Sequence, residues 1–271
     1  MFTYKEVYVR ESLAFFINKI WVLETNATKD LDGNKTLVPN GCFNIAFITG
    51  QGVTAKFGKD VIDLKKGIYF CGQATHSVDI VILPGTKVNM VQVFPWTISM
   101  FTEFNMKLCR NKIIPINYIN KDFEREANEI NHGDENLIMD FLDNRFNCFL
   151  IKNEHSLLVH QSCLIIMKTM GQCSIRDLSR QLSCSSRHLQ ILFLKYIGLS
   201  PKELSIIIKL RNAIDGIAFP SSSENKSMTT LALDNDFYDQ SHFNNTFKTI
   251  VKTLPGKFTP SGFILAIKKN V

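Results

Sequence analysis

Through the first 120 residues the apolar positions fall in short runs of β-branched and aromatic residues, each closed by a turn. TLVPNGCFNIAFITG holds such runs around Pro-Asn-Gly and before a closing glycine. VTAKFGKDVIDLKKGIYFCGQ reads as a hairpin series, with Gly58-Lys59-Asp60 and Lys65-Lys66-Gly67 as its turns. HSVDIVILPGTKVNMVQVFP gives two more strands around Pro84-Gly85. Short strands at this spacing predict an antiparallel sheet, barrel or sandwich. After Trp96 the pattern changes, and TISMFTEFNMKL predicts an amphipathic helix. From about residue 121 the apolar spacing is helical: ENLIMDFLDNRFNCFLI shows Leu137, Phe141, Leu142, Phe146, Phe149 and Leu150 at helix spacing, and DFEREANEI precedes it. The polar KNEHS, 152–156, is the best boundary, and Ser-rich PSSSENKSM, 220–228, predicts an exposed, mobile loop.

The most ordered pattern follows. In SIRDLSRQLSCSSRHLQILFLKYIGLSP, Ser174 and Asp177 form a capping box for a first helix lined by Ile175, Leu178 and Leu182. Ser183-Cys184 breaks it. Ser185 caps a second helix whose apolar face is Leu189, Leu192, Phe193 and Tyr196; Gly198 closes it and Pro201 opens the next. Two short helices joined in this way predict a helix-turn-helix. Its second helix presents Ser186, Arg187 and Gln190, side chains able to bond guanine and adenine edges. SMTTLALDNDFYDQSHFNNTFKTI repeats the layout about 53 residues on. Met228, Leu231, Ala232 and Leu233 make a short helix, Asn235-Asp236-Phe237 the turn, and Asp239 the cap of a helix with Phe243 and Phe247 inside. Gln240, Ser241, Asn244, Asn245 and Lys248 face outward. KELSIIIKLRNAIDGIAF, 202–219, is the helix between the two pairs, a rigid connector that suits docking into successive major-groove segments.

Charge agrees with this division. Residues 156–271 carry 14 Lys and Arg against 7 Asp and Glu, whereas residues 1–155 carry 17 against 18. The excess of +7 on the C-terminal part points to a polyanion partner for it. Hydrophobic content of 45% and charged content of 21% over 271 residues allow two folded domains, 1–155 and 156–271. No run of about 18 apolar residues predicts a membrane span, and the N-terminus lacks the pattern of a signal peptide, so a cytoplasmic protein is expected. Seven cysteines form no C-x-x-C pair and six histidines no metal spacing. No P-loop, G-x-S-x-G or G-x-G-x-x-G occurs. No metal, cofactor or catalytic residue is therefore expected, and Trp96 with the aromatic strand residues reads as core.

The residues LSRQLSCSSRHLQILF, GLSPKEL, Ala213 in the connector, and above all FYDQSHFNNTFK followed by Pro255 carry a resemblance: region 165–258 resembles the DNA-binding domain of the AraC/XylS family of transcriptional regulators. The N-terminal half is similar, more loosely, to a regulatory domain found ahead of that module, through VPNGCFNIAFITG, YFCGQ and VNMVQVFPWTISMF. The resemblance implies an α+β chain: a β-rich, cupin-like N-terminal domain, then an all-α domain with two helix-turn-helix motifs reading adjacent half-sites of double-stranded DNA. It implies Ser185, Ser186, Arg187, Gln190, Gln240, Ser241, Asn244, Asn245 and Lys248 as the DNA-facing set. A small-molecule effector in the N-terminal domain, RNA polymerase and a second copy of the chain are the further partners it suggests. The departures are Ile191, Leu194 and Asn245 where the family commonly has basic residues, Asp236 for a turn glycine, and a missing glycine around Lys252. Each lost cation removes a phosphate contact. They keep open a protein-interaction module with weakened DNA binding; an enzyme of the N-terminal barrel is the third reading.

Overall fold

The computed structural model describes residues 2–26, 34–148, 154–219 and 227–264. Phe149, Leu150, the start of the 152–156 stretch and positions 220–226 of the Ser-rich loop lie outside them. The first part holds β1 (Phe2–Val7), β2 (Ile17–Thr25), β3 (Asn34–Leu37), β4 (Phe43–Thr49), β5 (Val53–Phe57), β6 (Asp60–Leu64), β7 (Gly67–Cys71), β8 (Val78–Ile82), β9 (Lys87–Val93) and β10 (Ile113–Pro115). One open sheet runs β1-β2-β9-β4-β7-β10. The other runs β3-β8-β5-β6, and β11 (Phe263–Ile264), from the far end of the chain, joins it beside β3. That last pairing is parallel, Phe263 opposite Thr36; every other strand pair is antiparallel.

Period-2 alternation explains how the layers stack. Along β4, Ala46 and Ile48 turn toward Val53, Ala55, Val78 and Ile80 of the opposite sheet and form the sandwich core. Phe43, Ile45 and Phe47 turn the other way, into a second cluster that also takes in Val159, Ile166, Phe193, Leu204 and Phe243 of the helical part. A strand buried on both faces reads as a continuous apolar run, as FNIAFIT does.

Two local expectations need correction. Gly58-Lys59 does join a hairpin, β5 to β6. Lys65-Lys66-Gly67 instead carries the chain from one sheet to the other, because β7 pairs with β4 and β10 and puts Ile68 and Phe70 into the helix-side core. The amphipathic helix after Trp96 is absent: only the 3-10 turns Thr97–Met100 and Met106–Cys109 form. Thr97, Ile98, Ser99 and Met100 are all buried, so this first turn has no side facing water. Local bonds also compete with a helix ladder there: Ser99 Oγ donates to the Trp96 carbonyl (2.6 Å), and Thr102 Oγ accepts from the Phe104 N–H (3.1 Å).

The helices are α1 (Lys121–Ala127), α2 (Glu135–Cys148), α3 (Glu154–Lys168), α4 (Ile175–Gln181), α5 (Ser186–Tyr196), α6 (Pro201–Ala218), α7 (Met228–Asp234) and α8 (Gln240–Val251). Glu135 opens α2 and is held to the sheet by Lys5 and by Lys87 (3.1 Å). The Lys5 hydrogen bond, acting against burial and aided by the Glu135 backbone N–H and Lys87, holds its carboxyl down at about 2. Connector α6 starts on a full capping box, Ser200 with Glu203, and Pro201 at its first position. It is embedded rather than bare. Gly41, with φ +79°, approaches it so closely that an added Cβ would stand 2.8 Å from Leu204 Cδ1.

Candidate nucleic-acid interface

The two helix pairs share one turn chemistry. Ser174 caps α4, its Oγ accepting the Asp177 N–H at 3.0 Å. Past Gln181 the chain turns through Ser183 in the left-handed region (φ 50°). The Ser183 N–H donates to the Arg180 carbonyl (3.2 Å) and the Cys184 N–H to the Ser179 carbonyl (3.0 Å). This is the paired closure of a Schellman turn. Ser185 then caps α5, accepting the His188 N–H at 3.1 Å. In the second pair Ser227 caps α7 (3.1 Å from the Thr230 N–H). Asp236 takes φ 56°, as its place in the turn suggested. Its N–H donates to Leu233 (2.9 Å) and the Phe237 N–H to Ala232 (3.0 Å). Asp239 caps α8 through the His242 N–H at 2.7 Å. Lys209 of α6 grips the Asp236 carboxylate and lies 3.3 Å from its carbonyl. The one difference is an inserted residue, Tyr238, between closure and cap.

The inner faces are those the stripes predict. Leu189, Leu192, Phe193 and Tyr196 of α5 are buried, as are Phe237, Phe243 and Phe247 around α8. Phe243 meets Phe237 at 5.1 Å and Phe247 at 5.7 Å, edge to face. His242 packs on Phe237, while His188 is exposed.

The outward faces carry the expected site residues unequally. Ser185, Ser186, Arg187, Gln190, Gln240, Ser241, Asn245 and Lys248 are exposed, and Asn244 is half-buried. Ser185 is engaged as a cap. The Ser186 hydroxyl bonds that of Ser179 (2.9 Å) and so ties α5 to α4. Gln240 Oε1 accepts from Thr229 Oγ1 (2.8 Å), which orients that side chain from α7. Of the departures from the family pattern, Ile191 is 55% exposed and Leu194 half-buried. Sequence reading passed over Tyr238, which at 88% is the most exposed large apolar residue among those described. It lies between the left-handed Asp236 and the cap, outside both apolar stripes, and that position was the available signal.

Two ties from the β-rich part reach the second helices. At the end of α8, where Lys252 turns left-handed (φ 66°), the Ser77 N–H donates to the Ile250 carbonyl (2.6 Å). Ser77 Oγ donates to the Val251 carbonyl (3.1 Å). At the end of α5, Glu103 accepts from Lys195 Nζ (2.7 Å) and from the Tyr196 hydroxyl (3.1 Å). The hydrogen bond to Glu103, then that to Tyr196, raises the Lys195 ammonium above its usual range. Long-range pairs like these leave no local mark in a sequence.

Elsewhere chemistry is quiet. Burial pushes the Cys42 and Cys71 thiols up to about 12, so both stay protonated. Among the described residues no three His, Cys, Asp or Glu gather as a metal site, and no helix is long and apolar enough to cross a membrane. The sandwich interior encloses a cavity of about 80 Å³ bordered by Trp21, Asn44 and Gln73. Trp21 Nε1, Asn44 Oδ1 and Gln73 Oε1 have no hydrogen-bond partner among the described residues.

Residues 178–260 match the family model of a helix-turn-helix domain, and residues 5–115 that of a domain of unknown function, DUF6597. No curated protein matches the chain. Among solved structures, ToxT from Vibrio cholerae is similar at 11% identity, over 94% of this chain and 97% of that one, with a TM-score of 0.46. Unsaturated fatty acid-bound wild-type ToxT from the same organism gives 10%, 94% and 92%, and 0.44. The AraC-like transcriptional activator CuxR gives 11%, 72% and 73%, and 0.25. The matched helix-turn-helix segment spans α4 through α8 almost entirely, both turns included, so the C-terminal part of the chain carries a helix-turn-helix domain.

Proposed function

We propose that the protein is a sequence-specific DNA-binding transcription regulator that reads adjacent major-groove segments with α5 and α8 and answers to an effector held by its β-rich half. The observation that carries this is the repeated unit: two helix pairs with the same turn closure, on one embedded connector, each presenting exposed polar side chains. Arg187 and Gln190 are the base readers of α5. Gln240, Ser241, Asn244 and Asn245 serve α8, Lys248 takes phosphate, and the capping Ser185 and Ser186 set the approach of α5. An effector acts by linkage, favouring the arrangement in which both helices dock. The ties from Ser77 to α8 and from Glu103 to α5 are the routes by which the β-rich half biases that arrangement. The cytoplasm, RNA polymerase and a second copy of the chain belong to this reading.

The test is selection of genomic fragments by the purified protein at two salt concentrations. One enriched site of roughly 17–20 base pairs, about two turns, is the expected result, with affinity falling steeply as salt rises. Arg187→Ala and Gln240→Ala then relax specificity at separate positions, each by about 1–3 kcal/mol. A second reading, a protein-interaction module, is favoured by exposed Ile191 and Tyr238. Absence of any enriched sequence at low salt would select it.

A further inference from the structure

The second helix pair carries one residue more than the first between its turn closure and its cap. In the first pair Cys184 closes the turn and Ser185 caps α5 directly; in the second, Tyr238 stands between Phe237 and the capping Asp239. Tyr238 is 88% exposed. A lone exposed ring is ordinary on a protein surface. This one differs because its backbone is pinned on both sides. Phe237 before it is buried, its ring 5.1 Å from that of Phe243 and 5.5 Å from that of His242. Asp236, which starts the turn, is gripped by Lys209 of the connector. Asp239 after it accepts the His242 N–H at 2.7 Å and begins α8. A tyrosine ring has only two χ angles, so on a pinned backbone it enters a contact at little cost in conformational entropy.

Place decides the partner. Tyr238 precedes Gln240 by two residues, and Gln240 Oε1 accepts from Thr229 Oγ1 at 2.8 Å, which orients that amide at the same end of α8. In a helix-turn-helix the N-terminal residues of the second helix are the ones that meet base edges. Along the exposed face of α8 the side chains are polar, Gln240, Ser241, Asn245 and Lys248 among them, so the ring does not open along that helix onto an apolar patch of the kind that docks proteins. In a major groove a phenol ring has one apolar target, the 5-methyl group of thymine. From this placement we infer that Tyr238 is a specificity-determining residue of the second helix pair: its ring packs on the methyl group of one thymine at the edge of the segment that α8 reads. The inference rests on the docking of α8 in a major groove proposed above, and adds to it a base recognised by apolar contact rather than by hydrogen bonds. The first pair, lacking the extra residue, has no counterpart.

The experiment measures the affinity of the full chain for its selected site and for duplexes in which each thymine of that site is replaced, one at a time, by deoxyuridine. The replacement deletes the methyl group and keeps every hydrogen-bonding group. At one position, beside the base pair whose specificity Gln240→Ala relaxes, the unchanged protein is expected to lose about fourfold in affinity, the worth of one buried methyl group. Tyr238→Ala binds the thymine site more weakly by at least that factor and is indifferent to the replacement there. Tyr238→Phe keeps the fourfold effect. Replacements in the segment read by α5 act equally on all three proteins, a pattern that a merely structural role for Tyr238 would not produce. Because the side chain is exposed, the variants fold as the unchanged protein does. A selected site with no thymine beside that base pair overturns the inference. So does Tyr238→Ala that discriminates thymine from uracil at every position as the unchanged protein does; DNA reading by α8 then stands and the ring passes to a protein partner. A chain that selects no sequence at all overturns both.

Discussion

Ile191 stands at the outward rim of α5, one residue past Gln190, with more than half of its surface in water. If α5 enters a major groove, this position faces the sugar-phosphate edge, and Ile191→Arg adds one phosphate contact. Each neutralised phosphate steepens the fall of log affinity with log salt by about 0.9. Between 50 and 200 mM salt, a fourfold change, one added contact makes affinity fall by a further factor of about 3.5. The variant should therefore bind more tightly at low salt, and its advantage should shrink by about that factor at high salt. Stability should stay within about 0.5 kcal/mol, since the side chain is exposed. Fluorescence anisotropy with the selected site gives both slopes. Tyr118→Arg is the control, because it adds the same charge to a residue that is 69% exposed on the β-rich half. Identical slopes for Ile191→Arg and the unchanged protein would refute the placement of α5, as would an equal steepening by the control.

Other consequences concern stability and coupling. Lys252→Gly relieves a left-handed residue at the end of α8 and should stabilise the protein by about 1 kcal/mol in a urea titration. Ser77→Ala leaves the Val251 carbonyl without its hydroxyl partner and should cost about 1–3 kcal/mol, with faster hydrogen exchange at the end of α8. The Glu135 carboxyl is depressed on folding, so the stability it contributes is complete above about pH 4.5 and is lost as pH falls toward about 2. Glu135→Gln should flatten acid unfolding across that window and lower stability at neutral pH.

The helix pairs were legible because their signals are local. Caps at Ser174, Ser185 and Asp239 and the stripes Leu189-Leu192-Phe193 and Phe243-Phe247 act within a few residues, and the structure places each as expected. Even the left-handed turn at Asp236 could be read. What failed was segment 97–108, where helical spacing belonged to a buried run that answers to neighbours far along the chain. The split of the hairpin series between two sheets was equally invisible, since strand partners are chosen by tertiary packing. For the candidate interface, sequence gave the outward set but not its internal engagements: Ser186 with Ser179, and Gln240 with Thr229. The cavity of about 380 Å³ on the helix side of the six-stranded sheet could not be foreseen, because its described walls are drawn from five separate stretches between Ile45 and Phe146.

The strand β11 gives the fold a schedule. Its partner Thr36 leaves the ribosome 227 residues before Phe263 does. At about 5–20 residues per second, the β3 edge of the sandwich waits some 10–45 s for its last neighbour. For that interval an unpaired strand edge is on offer to any other nascent chain. Lys35 on that edge, a charge of the kind that discourages strangers, guards it until Phe263 arrives.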